Sequence, residues 1–135
     1  MAGGRTGPRL GNRVVLTVLR SPLHRLLPGL CEVRFTGRRS GRLVVLPAQY
    51  GRAADRVVIC VGRSGGKRWW RNFRTAHPAE VRVHRVLSHG VGRVVDSADQ
   101  DRPDAERIYR AAQPRNPVTD RDPLVVIDLI PHRST

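Results

Sequence analysis

Two basic segments hold the residue types best suited to chemistry. Gly37-Arg38-Arg39-Ser40-Gly41-Arg42 lies between two apolar runs, and Ser64-Gly65-Gly66-Lys67-Arg68-Trp69-Trp70-Arg71-Asn72-Phe73 follows a third. Arg38, Arg39 and Arg42 offer planar donor forks suited to phosphate or carboxylate. Ser40 adds a hydroxyl, and Gly37 and Gly41 permit a tight turn with close ligand approach. In the second segment, backbone amides at a helix start attract anions, and Gly65-Gly66 leaves them accessible. Trp69 and Trp70 offer flat surfaces, and Asn72 can bond a ring or a neighbouring backbone group. The two segments together suit an anionic ligand with an aromatic headgroup. Read alone, the first also fits an ordinary hairpin turn with solvated arginines. Trp69 with Phe73 also reads as core, whereas Trp70 falls on the basic face.

The totals set the frame for these segments. A chain of 135 residues with a hydrophobic share of 39% suits one globular domain with a real core. The expected layout is a disordered N-terminus over 1–9 and a single domain over 10–135. The formal net charge is +14, which raises nucleic acid or an anionic membrane surface as partner. Lys67, however, is the only lysine among 25 basic residues, and the arginines are spread along the chain. That bias fits a high-GC coding sequence, so much of the charge reads as solvated surface. Cys31 and Cys60 lie in apolar runs and suggest buried reduced thiols rather than a disulfide framework. The N-terminal apolar stretch is too short for a signal peptide, and no run reaches the roughly 20 residues a membrane span needs. A cytoplasmic location is expected, with membrane-surface contact left open.

The elements that must position the two segments follow from periodicity. Val14, Val15, Val18 and Leu19 fall at helical spacing, and Leu23, Leu26 and Leu27 extend that face after Ser21-Pro22, giving one broken helix or two short ones over roughly 11–27. In 31–36, Cys31, Val33 and Phe35 alternate with polar residues as in a half-buried strand. The run 43–50 is apolar almost throughout and reads as a central strand. Pro47 within it marks a bulge or a locally unpaired position. A turn over 51–55 leads to a strand over 57–61. Lys67 to Ala76 reads as a short helix with Trp69, Phe73 and Ala76 on one face, closed by His77-Pro78. Strands over 80–86 and 90–96 form a hairpin through Ser88-His89-Gly90. Asp101 can cap a helix that has Pro103 in its first turn and a core face of Ala105, Ile108, Tyr109 and Ala112. Leu124 to Ile130 is the last strand, in which Asp128 reads as an edge or outward residue. About six strands joined by short turns imply a mainly-β fold, an antiparallel sheet closing into a small barrel. The histidines show no metal spacing, and no paired acid and base is visible. The lack of such a dyad weakens a hydrolase reading but not a redox one, because a redox cofactor supplies the reactive atom.

The succession Phe35-Thr36-Gly37-Arg38-Arg39-Ser40-Gly41, Pro47, Gly62 to Gly66 and Lys67-Arg68-Trp69-Trp70-Arg71-Asn72-Phe73 resembles the deazaflavin-dependent nitroreductase family, over roughly 30–130. That resemblance implies a split β-barrel and binding of coenzyme F420, a deazaflavin with a phosphate and an oligoglutamate tail. It also implies roles for the segments. Arg38, Arg39 and Ser40, with Gly41 and Arg42 in the same turn, would hold phosphate and tail. Pro47, Gly62, Gly65, Gly66 and Lys67 would line the ring or its phosphate side, and Trp69, Trp70 and Asn72 would buttress the headgroup. Hydride would pass to a small electron-poor acceptor such as a quinone, with a proton from Tyr109 or from solvent. Val44 stands where better-known members carry a further basic residue, and Ala112 and Arg115 stand where nitroimidazole-reducing members have tyrosines. The alternatives are a non-catalytic barrel holding flavin (FMN) or haem, and a charge-driven polyanion binder. Related barrels imply a homodimer.

Overall fold

Alternating and continuous apolar runs become six strands and two helices in the computed structural model, which describes residues 10–21, 29–62 and 67–131. The order is α1 (Leu10–Leu19), β1 (Leu30–Thr36), β2 (Leu43–Ala53), β3 (Arg56–Cys60), a 3-10 helix (Trp69–Phe73), β4 (His77–Val83), β5 (Val86–Val95), α2 (Arg102–Ala112) and β6 (Leu124–Leu129). Every strand pairs antiparallel with two neighbours in the ring β1-β2-β3-β6-β5-β4, which closes into a barrel. The mainly-β split-barrel expectation is met. Residues 1–9, the helical continuation through Leu23, Leu26 and Leu27, and Ser64, Gly65 and Gly66 lie outside the described residues. Among the described residues, no helix is long and apolar enough to cross a membrane.

Two apolar layers explain why some strands alternate and others do not. Cys31, Val33, Phe73, Val81, Val57, Ile59, Val125 and Ile127 fill the barrel. Val58, Leu124 and Val126 point outward, under Ala105, Ile108 and Tyr109 of α2. β3 and β6 are therefore covered on both faces, which is why they read as unbroken apolar runs. Gly51 lets α2 approach the sheet: a Cβ there would stand 2.5 Å from the Ile108 carbonyl oxygen.

Several local expectations are corrected by packing. The run 43–50 is not central. β3 pairs with β2 only from Tyr50 onward, so residues 43–49 have β1 on one side alone. Pro47 forms no bulge, since it faces Glu32 in an unbroken register. Backbone bonds at Gly37–Arg42 and Tyr50–Gly29 fix the alternation of that ladder. Pro47 thus stands at a non-hydrogen-bonded position toward β1, its nitrogen facing the side that β3 has left. This is the locally unpaired position that its ring permits. The β2–β3 turn is also shorter than expected, because β2 runs on to Ala53.

The β4–β5 turn falls at His84-Arg85, both at positive φ (49° and 71°), rather than at Ser88-His89-Gly90. Gly90 lies within β5 because a Cβ there would come within 2.4 Å of the Asp128 carbonyl oxygen. His77-Pro78 opens β4 instead of closing a helix, and the expected helix over 67–76 is one 3-10 turn. Asp101 occupies the position before α2 without capping it. Its carboxylate accepts from Arg93 instead. Ala112 is exposed, and the buried face of α2 begins at Arg102.

Candidate functional site: a cleft where β2 and β3 part

Where β2 and β3 separate, a cleft of about 690 Å³ opens between them. Continuing the register Tyr50↔Ile59 would set Pro47 opposite Gly62, and both line this space instead. Leu46, Pro47, Ile59, Val61 and Trp69 form its apolar wall. Gln49, Tyr109, Asn116, Thr119 and Asp122 form a polar one, from β2, α2 and the loop before β6. Lys67 and Cys60 also line it. The volume and the mixed lining suit a ring-sized ligand held by a few placed polar groups.

The polar wall is ordered by Asn116. Its Nδ2 donates one proton to Gln49 Oε1 at 2.8 Å and shares the other between Tyr109 Oη and Gln113 Oε1, each at 3.3 Å. Gln113 in turn donates to the carbonyls of Gly29 and Tyr50. The Tyr109 oxygen therefore receives a bond, while its own proton has no acceptor among the described residues. Burial raises the Tyr109 pKa, the Asn116 bond lowers it, and Cys60 and Asp122 raise it further. The net rise keeps the phenol protonated through the neutral range. Burial, with Asp122 adding, pushes the Cys60 thiol up to about 11, so it too is neutral there.

The residues singled out by sequence divide into three groups. Pro47, Gly62, Lys67, Trp69 and Tyr109 meet at the cleft. Trp69 does so while packing against Phe35 and Phe73, each at 6.3 Å between ring centroids. It is thus both core and cleft wall.

The second group ties the turn to the 3-10 helix. The Arg38 backbone N–H donates to Asn72 Oδ1 at 2.8 Å, and its guanidinium to the carbonyls of Asn72, Thr75 and Ala76. Asn72 Nδ2 donates to the Trp69 carbonyl. Arg38 and Asn72 hold each other and do not line the cleft. Ser40 Oγ accepts from the Arg42 backbone N–H, and Gly41 takes a φ of +69° that glycine adopts without strain.

The third group, Arg39, Arg42 and Trp70, lies off the cleft. Arg39 and Arg42 are exposed. Trp70 donates its indole N–H to the Lys67 carbonyl and carries the guanidiniums of Arg71 and Arg74 at 5.8 and 5.1 Å from its ring centre. Gln49, Asn116 and Thr119 were not anticipated from sequence, because the loop that brings them together has no periodicity.

No protein-family model and no curated protein matches the chain by sequence. The fold does match solved structures. An F420-H2 dependent reductase, FDR-A, superposes with a TM-score of 0.59 at 12% identity, over 74% of this chain and 94% of that one. A chain described as a domain-swapped dimer gives the same score and identity over 74% and 80%. A Bacteroides thetaiotaomicron protein proposed to confer 5-nitroimidazole antibiotic resistance gives 0.51 at 13% identity, over 87% and 78%. These likenesses establish the split-barrel fold.

Proposed function

We propose that this chain is a deazaflavin-dependent reductase that uses reduced coenzyme F420 to reduce a small electron-poor acceptor such as a quinone. The observation that carries the reading is the cleft, with an apolar wall for a ring facing an ordered polar wall that ends in a protonated phenol. The fit is reasonable: Leu46, Ile59, Val61 and Trp69 suit a flat ring, and Gln49, Asn116 and Thr119 suit its polar edge. Lys67, a cation that lines the cleft, would meet an anionic tail, and the exposed Arg39 and Arg42 would add charge for it beyond the cleft. When bound, the deazaflavin would supply the hydride. The chain would exclude water, orient the acceptor, and donate a proton from Tyr109 Oη to the acceptor oxygen. Asn116, by donating to that same oxygen, would leave the phenol proton directed elsewhere. The split-barrel likeness to an F420-H2 dependent reductase supports the cofactor choice. The free thiols Cys31 and Cys60 fit a reducing compartment such as the cytoplasm. A homodimer belongs to the same reading, and sedimentation of the purified chain checks it.

The test is titration of the chain with F420, FMN and haem, followed by acceptor reduction with Tyr109→Phe. Saturable F420 binding unchanged in the variant, with a fall in turnover of at least tenfold, is the expected result. Binding of FMN or haem in place of F420 would overturn the cofactor, and full turnover by Tyr109→Phe would overturn the proton donor.

A further inference from the structure

We infer that Gln113, which does not itself line the cleft, is a positioning residue that sets the polarity of the cleft's polar wall. Through Asn116 it leaves the Gln49 amide and the Tyr109 hydroxyl as neighbouring donors, a seat for the carbonyl or nitro oxygen of the acceptor. This inference rests on the reductase reading of the cleft and narrows one part of it, giving Gln49 to the acceptor rather than to the cofactor's edge.

Two backbone carbonyls begin the chain of constraint, because a carbonyl oxygen can only accept. Gln113 reaches those of Gly29 and Tyr50 at 3.0 and 3.1 Å, so its amide must turn the NH2 group toward them. Its Oε1 is then the atom left for Asn116, which must present its own NH2 group, at 3.3 Å. That same Nδ2 meets Gln49 at 2.8 Å and Tyr109 at 3.3 Å. Gln49 must answer with its oxygen and Tyr109 with a lone pair. Each group thus has one orientation, fixed from Gly29 and Tyr50 outward. The free ends follow. Gln49 Nε2 and the Tyr109 hydroxyl proton have no acceptor among the described residues, and both side chains line the cleft. They contact one nitrogen, so they lie side by side. Thr119, the other hydroxyl of this wall, donates to Asp122 Oδ2 instead.

The clamp is built into the fold. Gln113 closes α2 with its backbone N–H on the Tyr109 carbonyl at 2.9 Å, and the Asn116 N–H returns to the Gln113 carbonyl at 3.1 Å. Gly29 stands at φ +82°, and a Cβ there would lie 2.7 Å from Gln113 Nε2, so glycine leaves the amide its place. Two donors side by side select by chemistry. A carbonyl or nitro oxygen can take both bonds, whereas a hydrocarbon leaves both donors unpaired. As hydride from the reduced deazaflavin reaches the acceptor, negative charge gathers on that oxygen. Tyr109 passes it a proton, the Gln49 amide holds it, and solvent reprotonates the tyrosinate.

The test is made on the full chain without cofactor. Tryptophan fluorescence, to which Trp69 in the cleft wall contributes, is followed during titration with α-tetralone and with tetralin, the same bicycle without the oxygen. The native chain should bind tetralone at least tenfold more tightly. Gln113→Lys keeps donors for the two carbonyls but offers Asn116 no acceptor. The Asn116 amide then turns its oxygen inward and draws the protons of Gln49 and Tyr109. Asn116→Asp does the same without touching Gln113. In both variants the tetralone preference should fall below threefold while tetralin affinity holds, and thermal melts check that each folds. A preference retained in Gln113→Lys would overturn the positioning role, and one retained in Asn116→Asp would do so even where the lysine variant does not fold. Equal losses for tetralone and tetralin would overturn it in favour of a purely structural part. No preference in the native chain would overturn the donor seat. Titration with F420 separates this from the reductase reading. F420 bound without a tetralone preference overturns the seat alone, whereas a preference without F420 binding overturns the reductase alone.

Discussion

The arginines around α2 and those around the β1–β2 turn are the same residue doing opposite work. Arg102 is 3% exposed and donates to the carbonyls of Val95, Asp122 and Thr119 and to Glu106. Arg93 and Arg56 pair with Asp99, Asp101, Asp104 and Asp128 nearby. The acids of this side pair its cations, and Arg102, turned inward, fastens the loop that supplies Thr119 and Asp122 to the cleft. At the turn no acid is present, so Arg38 bonds backbone carbonyls and its neighbours face water. In a chain of charge +14, the total says little about any one arginine, whereas the placement of its 11 acids decides which cations are paired.

The largest test of that contrast is Arg102→Leu. It strands several buried carbonyls and should cost about 3 kcal/mol, a fall in Tm of roughly 10 °C by thermal melt. Lysine at this position should rescue only in part, because it cannot reproduce the fork.

Glu32, 0% exposed, is the next lever. Burial raises its pKa, but hydrogen bonds from Arg20 and Arg34, with charge from Arg20 and Arg82, outweigh that and leave it lowered. A depressed carboxylate stabilises the fold above its unfolded pKa of about 4.3, and loses that effect as pH falls through the lower folded value. Stability should therefore drop below about pH 4, read by denaturant titration across pH. Glu32→Gln should be weaker at neutral pH and show a shallower acid decline.

Arg38→Ala removes the bridge between turn and helix and should cost about 1–2 kcal/mol. Hydrogen exchange over 69–76 should rise with it, because the carbonyls of Thr75 and Ala76 lose their donor. At the small end, Arg68→Glu should change stability by less than about 0.5 kcal/mol, since its side chain is solvated. A loss as large as that of Arg102→Leu would erase the distinction between the two sides.

Periodicity made the barrel legible. Cys31, Val33 and Phe35 alternate because only one face of β1 meets the interior, and β3 and β6 are continuous because α2 covers their second face. What misled was the run 43–50, apolar for a different reason: half of it lines a cleft rather than a sheet interior. Trp69, Pro47 and Gly62 could be found from sequence because their types are unusual at their positions. Gln49 and Asn116 could not, since 67 residues of chain separate the two side chains that meet at 2.8 Å. Arg102 did carry a signal. It lies three residues before Ala105 and seven before Tyr109, on the buried stripe of α2, but its charge argued against burial.

The proposed function makes the cleft the seat of the cofactor. Gly62 lines it, and a Cβ there meets nothing within 4 Å, so a larger side chain can occupy the space without a clash at its root. The direct measurement is F420 fluorescence during titration with the native chain and with Gly62→Leu, at matched thermal stability. Saturable binding by the native chain, weakened at least tenfold in Gly62→Leu, is the predicted result. Equal affinity in both, or no saturable change with the native chain, would contradict it.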